Sequence, residues 1–115
     1  MGSRDAERRA LGMLGLAAKA GRVIAGVPLI CIALQKHAKG KTPLIVLSAA
    51  DASPNTKKRI GDRTAFYGVP HYPLTADCVT LALSVGKREC AVAAVAVTEE
   101  GLAKAIGTIL QESGQ

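Results

Sequence analysis

Two stretches limit the fold of this chain more than any other feature. Leu44-Ile45-Val46-Leu47-Ser48 and the run from Ala91 to Val97 carry no charge, and their one polar side chain is Ser48. A strand with one wet face alternates apolar and polar residues, so unbroken apolar runs of this length mark strands covered on both sides. Covered strands need helices above and below.

The rest of the chain supplies those helices. Ala10, Leu11, Leu14, Ala17 and Ala18 recur at helical spacing within residues 4–20, and Gly21 stops that helix. Val23–Ala25 is a short strand. Gly26 then makes a turn, and Pro28 suits the first position of a helix reaching about Lys39. After the 39–43 loop and the strand at 44–48, Ser53-Pro54 reads as an N-cap followed by proline in the first turn, opening a helix to Tyr67. Gly68-Val69-Pro70 ends it, and His71-Tyr72 forms a brief strand. Thr75 is predicted to cap a helix to about Leu83, and Gly86-Lys87-Arg88-Glu89 is a basic turn. Thr98 is predicted to cap the last helix, with Glu99 and Glu100 in its first turn, where the helix dipole favours acids. The order α-β-α-β-α-β-α-β-α, with short connections over 115 residues, predicts one domain (residues 1–115) of α/β class. Its single mixed sheet has about four strands, sandwiched between helices.

Charge narrows the function. Fifteen Lys and Arg against nine acids give a net charge of +6, a balance that points to a polyanionic partner, above all nucleic acid. The charge is uneven. Lys19, Arg22, Lys36, Lys39, Lys41, Lys57, Lys58, Arg59 and Arg63 face only Asp51 and Asp62 over residues 19–63, whereas residues 92–115 hold one base, Lys104, against three acids. An oriented anion site accounts for that asymmetry better than general solubility does.

Other classes find little support. Cys31, Cys78 and Cys90 form no CxxC pair, and no His stands at metal-ligand spacing, so no metal site is expected and the thiols fit a reducing cytoplasm. The N-terminus is too charged for a signal peptide. The uncharged run VIAGVPLICIAL at 23–34 is shorter than the roughly 20 residues that span a bilayer. No membrane association is expected. His37 and His71 have no acid nearby in sequence, Ser48 and Ser53 lack a nucleophile-elbow context, and Gly12 and Gly15 belong to a helix, where they allow close packing. No catalytic role and no cofactor are expected.

The segments LGLAAKAGRVIAG, LIVLSAADASPNTKKRI, FYGVPHY and VAVTEEGLAKAI together resemble the kink-turn-binding ribosomal protein family of archaea and eukaryotes (the L-seven-A-e and L-thirty-e superfamily), and within it the bacterial YlxQ-type members. The most specific part is AADASPNTKK followed by YGVP, and the resemblance covers nearly the whole chain. It implies a three-layer α/β/α sandwich. It also implies a monomeric, non-enzymatic, cytoplasmic partner of structured RNA, ribosomal or otherwise kink-turn-like, in ribosome or ribonucleoprotein function. RNA of that kind bends sharply at tandem sheared G·A pairs, which expose guanine edges that regular A-form RNA hides in its deep groove.

Carried over by position, the resemblance places the RNA-binding set at Gly26, Val27, Pro28, Leu29, Ile32, Lys36, Ser53, Gly86, Lys87 and Arg88. The family usually has Asn, Glu and Lys where this chain has Pro28, Leu29 and Ile32. None of these three can make the family's side-chain hydrogen bonds to guanine, and Pro28 also lacks an N–H. Lys36 keeps a basic position one turn further on. An acidic residue of some members is Ser53 here, and the later loop survives as Gly86-Lys87-Arg88, with Val85 and Ala91 nearby. Two readings of the apolar positions stay open. Either the second helix is buried on more than one face, or Val27–Ile32 forms an exposed apolar edge suited to stacked bases or to a protein partner. Of the three positions, Pro28 and Leu29 are expected to be at least partly exposed, with Ile32 flanking them.

Overall fold

The computed structural model describes residues 3–36, 42–87 and 91–113. Its elements run α1 (Ser3–Lys19), β1 (Val23–Ala25), α2 (Val27–Lys36), β2 (Ile45–Ser48), α3 (Pro54–Tyr67), β3 (His71–Pro73), α4 (Cys78–Ser84), β4 (Ala94–Val97) and α5 (Glu100–Ser113). The strands form one mixed sheet in the order β1-β4-β2-β3, with β2 parallel to β3 and the other pairs antiparallel. The two apolar runs thus contain the two interior strands, β2 and β4, and every residue of both strands is buried.

Alternation along those strands divides the core in two. Ile45, Leu47, Val95 and Val97 face α1, α4 and α5, where they meet Leu14, Leu81, Ile106 and Leu110. Val46, Ala94 and Ala96 face α2 and α3, where they meet Ile30, Leu34 and Ile60. Helices on both faces of one sheet make the expected three-layer sandwich.

Local signals hold wherever the residues act on their own neighbours. Ser53 caps α3, its Oγ accepting the Thr56 N–H at 3.2 Å, and Pro54 stands in the first turn. Gly68 ends α3 in the left-handed region, φ 69°, which glycine enters without a Cβ clash.

Four expected boundaries are corrected, three of them by partners distant in sequence. The cap of α4 is Asp77, not Thr75. The Glu7 carboxylate on α1 accepts the N–H groups of Thr75 (2.7 Å) and Ala76 (3.2 Å), which holds that segment outside the helix, and Asp77 Oδ1 accepts the Thr80 N–H at 2.7 Å. The last strand starts at Ala94, not Ala91, because Val92 donates to Cys78 O on α4 instead of joining the ladder. The cap of α5 is Glu99, not Thr98. Thr98 N–H extends the ladder to Arg22 O, while the Glu99 oxygens take the N–H groups of Gly101 (3.0 Å) and Leu102 (2.6 Å). The second helix begins at Val27, one residue before Pro28, and its expected end at Lys39 lies outside the described residues. Of the two glycines read as packing sites, only Gly15 is one: a Cβ there would sit 3.2 Å from the Ser84 carbonyl oxygen, whereas one at Gly12 meets nothing within 4 Å.

Candidate functional site

The uncharged run at 23–34 resolves into a buried face and an exposed one. Val27, Ile30, Cys31 and Leu34 point into the core. Pro28 is exposed, and Leu29 and Ile32 are 58% and 46% exposed, at helical spacing with exposed Lys36. Val27, included in the expected RNA-binding set, is 8% exposed and belongs to the core cluster on this side of the sheet.

The helix takes this orientation because of Gly26. Its φ of 101° closes β1 with a sharp turn that an L side chain would resist, and its carbonyl accepts the Ile30 N–H at 3.1 Å, which starts α2. Pro28 then occupies the first turn, where a missing N–H breaks no intrahelical bond.

Leu29, Ile32 and Lys36 form one wall of a groove of about 710 Å³ that runs along the outer edge of β1. Ala18 and Arg22, from the end of α1 and the turn after it, lie on the other side, and Val85 and Lys87 come from the segment after α4. The floor is β1 itself. Arg22 O, Ile24 and Gly26 N–H bond to β4, so the N–H and C=O groups of Val23 and Ala25 point away from it, toward the groove. Three cations ring this space, and among the described residues lining it there is no Asp or Glu. Glu99 is near enough to Arg22 for the guanidinium to help hold its carboxyl below the usual range. The larger cause is its bonds to the α5 N–H groups, which already occupy both of its oxygens.

The structure therefore gathers Leu29, Ile32, Lys36 and Lys87 at one edge, beside Gly26 and Pro28. Ser53 is not among the groove residues; its hydroxyl is engaged at the start of α3, donating to Thr56 Oγ1 at 2.8 Å. Gly86, at φ 79°, precedes Lys87, and Arg88 lies outside the described residues. Sequence reasoning counted Arg22 among the basic residues but missed it as a groove residue. Its place at the entrance to the edge strand was the available signal. Lys57, Lys58 and Arg59 are solvent-exposed on α3, where Lys58 makes a loose 3.9 Å pair with Asp62.

Two polar clusters elsewhere are structural. Ser48 Oγ lies 2.8 Å from His71 Nε2, and burial lowers the His71 pKa. Asp51 Oδ1 accepts the Cys78 N–H at 2.8 Å. Burial first, and then the hydrogen bond to Asp51, push the Cys78 thiol up to about 11, which makes it a poor nucleophile at neutral pH. Among the described residues no helix is long and apolar enough to cross a membrane.

No protein-family model matches the chain. It is similar to solved structures of a protein of unknown function from Bacillus halodurans (TM-score 0.78, 24% identity, covering 89% of this chain and 96% of that one) and of the 15.5 kD RNA binding protein of Giardia lamblia (TM-score 0.77, 13% identity, covering 96% and 88%). At these identities the likeness shows the fold. Sequence goes further. The chain is 40% identical over 70 residues to the Enterococcus faecium protein named RNA-binding protein YlxQ, spanning 61% of this chain and 64% of that one. It is 36% identical over 98 residues to the Bacillus subtilis protein of the same name, spanning 85% of this chain and 91% of that one. With 36% identity across nearly the whole length of its Bacillus subtilis relative, the chain belongs to the YlxQ family.

Proposed function

We propose that this protein binds structured RNA through the β1–α2 edge. It acts as a monomer, without enzymatic activity, in cytoplasmic ribosome or ribonucleoprotein function, and its target is a bent, kink-turn-like RNA. The observation that carries the reading is the edge groove, where Arg22, Lys36 and Lys87 surround an apolar wall of Leu29 and Ile32 with no acid among the lining residues. Cations so placed neutralise phosphates, while apolar side chains accept the faces of bases. The names of the Bacillus subtilis and Enterococcus faecium relatives support an RNA partner. Gly26 brings the main chain close to the ligand, Pro28 covers the turn, Lys36, Lys87 and Arg88 meet phosphates, and Gly86 shapes the turn before Lys87. Ser53 fixes the start of the neighbouring helix.

Titration with a kink-turn duplex and a straight duplex, each at two salt concentrations, tests this. The kinked RNA should bind more tightly. Lys87→Gln with Arg88→Gln should weaken binding and reduce its salt dependence by roughly one counterion per lost phosphate contact. Absence of RNA binding at low salt overturns the reading. In that case the exposed Leu29 and Ile32 are left as a patch for a protein partner.

A further inference from the structure

We infer that α3 carries a second RNA contact, separate from the β1–α2 edge, on which Arg59 and Arg63 hold phosphates and Phe66 stacks on a base of a single strand flanking the structured RNA. The inference rests on the RNA reading of the β1–α2 edge and adds a surface outside it.

The sequence of α3 holds four cations, Lys57, Lys58, Arg59 and Arg63, against one acid, Asp62. Ile60 and Thr64 form its buried side. Arg59, Arg63 and Phe66 follow one another at spacings of four and three residues, so they line one face turned away from that side. Phe66 is 80% exposed, more than any other large apolar side chain among the described residues. Its ring meets that of half-buried Tyr67 edge to face, 4.9 Å between centroids, which holds it in place before any ligand arrives. A helix face that only solvates the protein is laced with charges of both signs. Here Lys58 makes the loose pair with Asp62, while Arg59 and Arg63 have no carboxylate partner and lead to a bare ring.

Charge complementarity selects the partner. Guanidiniums neutralise phosphates, and an exposed ring is a platform for a base, tolerant of sequence because every base has a π-face. A base inside a duplex has both faces covered by its neighbours, so the ring takes an unpaired strand. Position agrees. β1 and β2 are both antiparallel to β4 and therefore run in the same direction. α2 and α3 leave them at the same end of the sheet and share one core cluster. RNA seated at the β1–α2 turn thus lies at the end where α3 begins, and the row from Arg59 to Phe66 leads away from it. The molecule is 38 Å in its longest dimension, which a strand of about ten nucleotides covers at roughly 3.4 Å each.

Three RNAs test this: a blunt kink-turn duplex, and the same duplex with a single-stranded extension of about ten nucleotides at one end or at the other. At least one extended RNA should bind about tenfold tighter than the blunt one, as expected when one base is held by stacking. Phe66→Ala should remove that gain and leave the affinity for blunt RNA unchanged. Arg59→Gln with Arg63→Gln should lower the salt dependence for the extended RNA by about 0.7 per lost phosphate contact and again spare the blunt RNA. Thermal melts confirm that both variants are folded. The inference is overturned if neither extension adds affinity, or if the gain survives in folded Phe66→Ala. Binding of polyglutamate that Phe66→Ala abolishes, with no gain from either extension, assigns the face to an acidic protein and also overturns it. In these cases binding of the blunt duplex leaves the edge reading intact. An extended RNA that binds while the blunt duplex does not refutes the edge reading alone, and no binding of any RNA at low salt refutes both.

Discussion

The exposed face of α2 allows a direct reconstruction experiment. Pro28→Asn, Leu29→Glu and Ile32→Lys would place hydrogen-bonding side chains where this chain has apolar ones. Leu29 and Ile32 are 58% and 46% exposed, so only about half of each side chain gives up apolar contact. Full burial of such a side chain stabilises by about 1.5–3 kcal/mol, which makes the combined loss roughly 2 kcal/mol. A glutamate in the first turn of α2 recovers about 0.3–1 kcal/mol from the helix dipole. The proline contributes no hydrogen bond to lose. The net loss is then about 1–1.5 kcal/mol, a fall in Tm of roughly 4–12 °C for a chain of this size. Thermal unfolding followed by circular dichroism reads it. In parallel titrations, the variant should gain about tenfold preference for a bulge flanked by tandem sheared G·A pairs over one flanked by G·C pairs, since a bidentate edge contact is worth about 1–3 kcal/mol. Loss of cooperative unfolding would mean that an acid and a lysine had been forced into core, and would refute the exposed-face assignment. A folded variant with no new preference would refute the placement of these positions against RNA.

Three further outcomes follow from the packing. Leu14 is fully buried between α1 and the sheet, and Leu14→Ala should cost about 2–5 kcal/mol in urea unfolding; a loss under 1 kcal/mol would contradict the core described above. Gly12→Ala should stabilise α1 by up to about 1 kcal/mol, whereas Gly15→Ala should gain less or lose, because its Cβ would press on the Ser84 carbonyl oxygen at 3.2 Å; equal effects would remove the close α1–α4 approach. Burial lowers the His71 pKa from 6.5, so the folded state binds its proton less readily than the unfolded chain does. Stability contributed by neutral His71 is therefore complete above pH 6.5 and lost as pH falls from there to the folded pKa, well above the range where Asp51, Asp77 and Glu99 act. Melting curves between pH 7.5 and 5.5 should show a decline that His71→Gln reduces; an identical decline in both proteins would refute it.

The candidate site was legible only in part. Lys36 and Lys87 were visible as basic residues, and Leu29 and Ile32 as apolar ones, but composition does not say which face of a short helix is wet. That depends on where β4 and α3 lie, since Ile30 and Leu34 are drawn into the layer between them. Arg22 went unrecognised because its partners in the groove, Ile32 and Lys87, are 10 and 65 positions away.

What the sequence by itself determined is everything that nearest neighbours along the chain decide. The apolar runs specify the covered strands at 45–48 and 94–97, the 3.6-residue spacing specifies helices, and Ser53 and Gly68 mark the ends of α3 through bonds to residues within four positions. What only the tertiary structure decided is every choice set by contacts across the chain. β4 lies between β1 and β2 although it is last in sequence. Glu7 displaces the start of α4 from 68 residues away, and the ladder bond from Thr98 to Arg22 moves the cap of α5 to Glu99. The groove belongs to this second kind: it exists because β1 is left as the edge of the sheet, with α1, α2 and the segment after α4 closing around it. Backbone propensity and side-chain periodicity act over a few residues. A hydrogen bond or a buried surface pairs whatever the fold brings together, and one sequence read alone carries no local mark of that pairing.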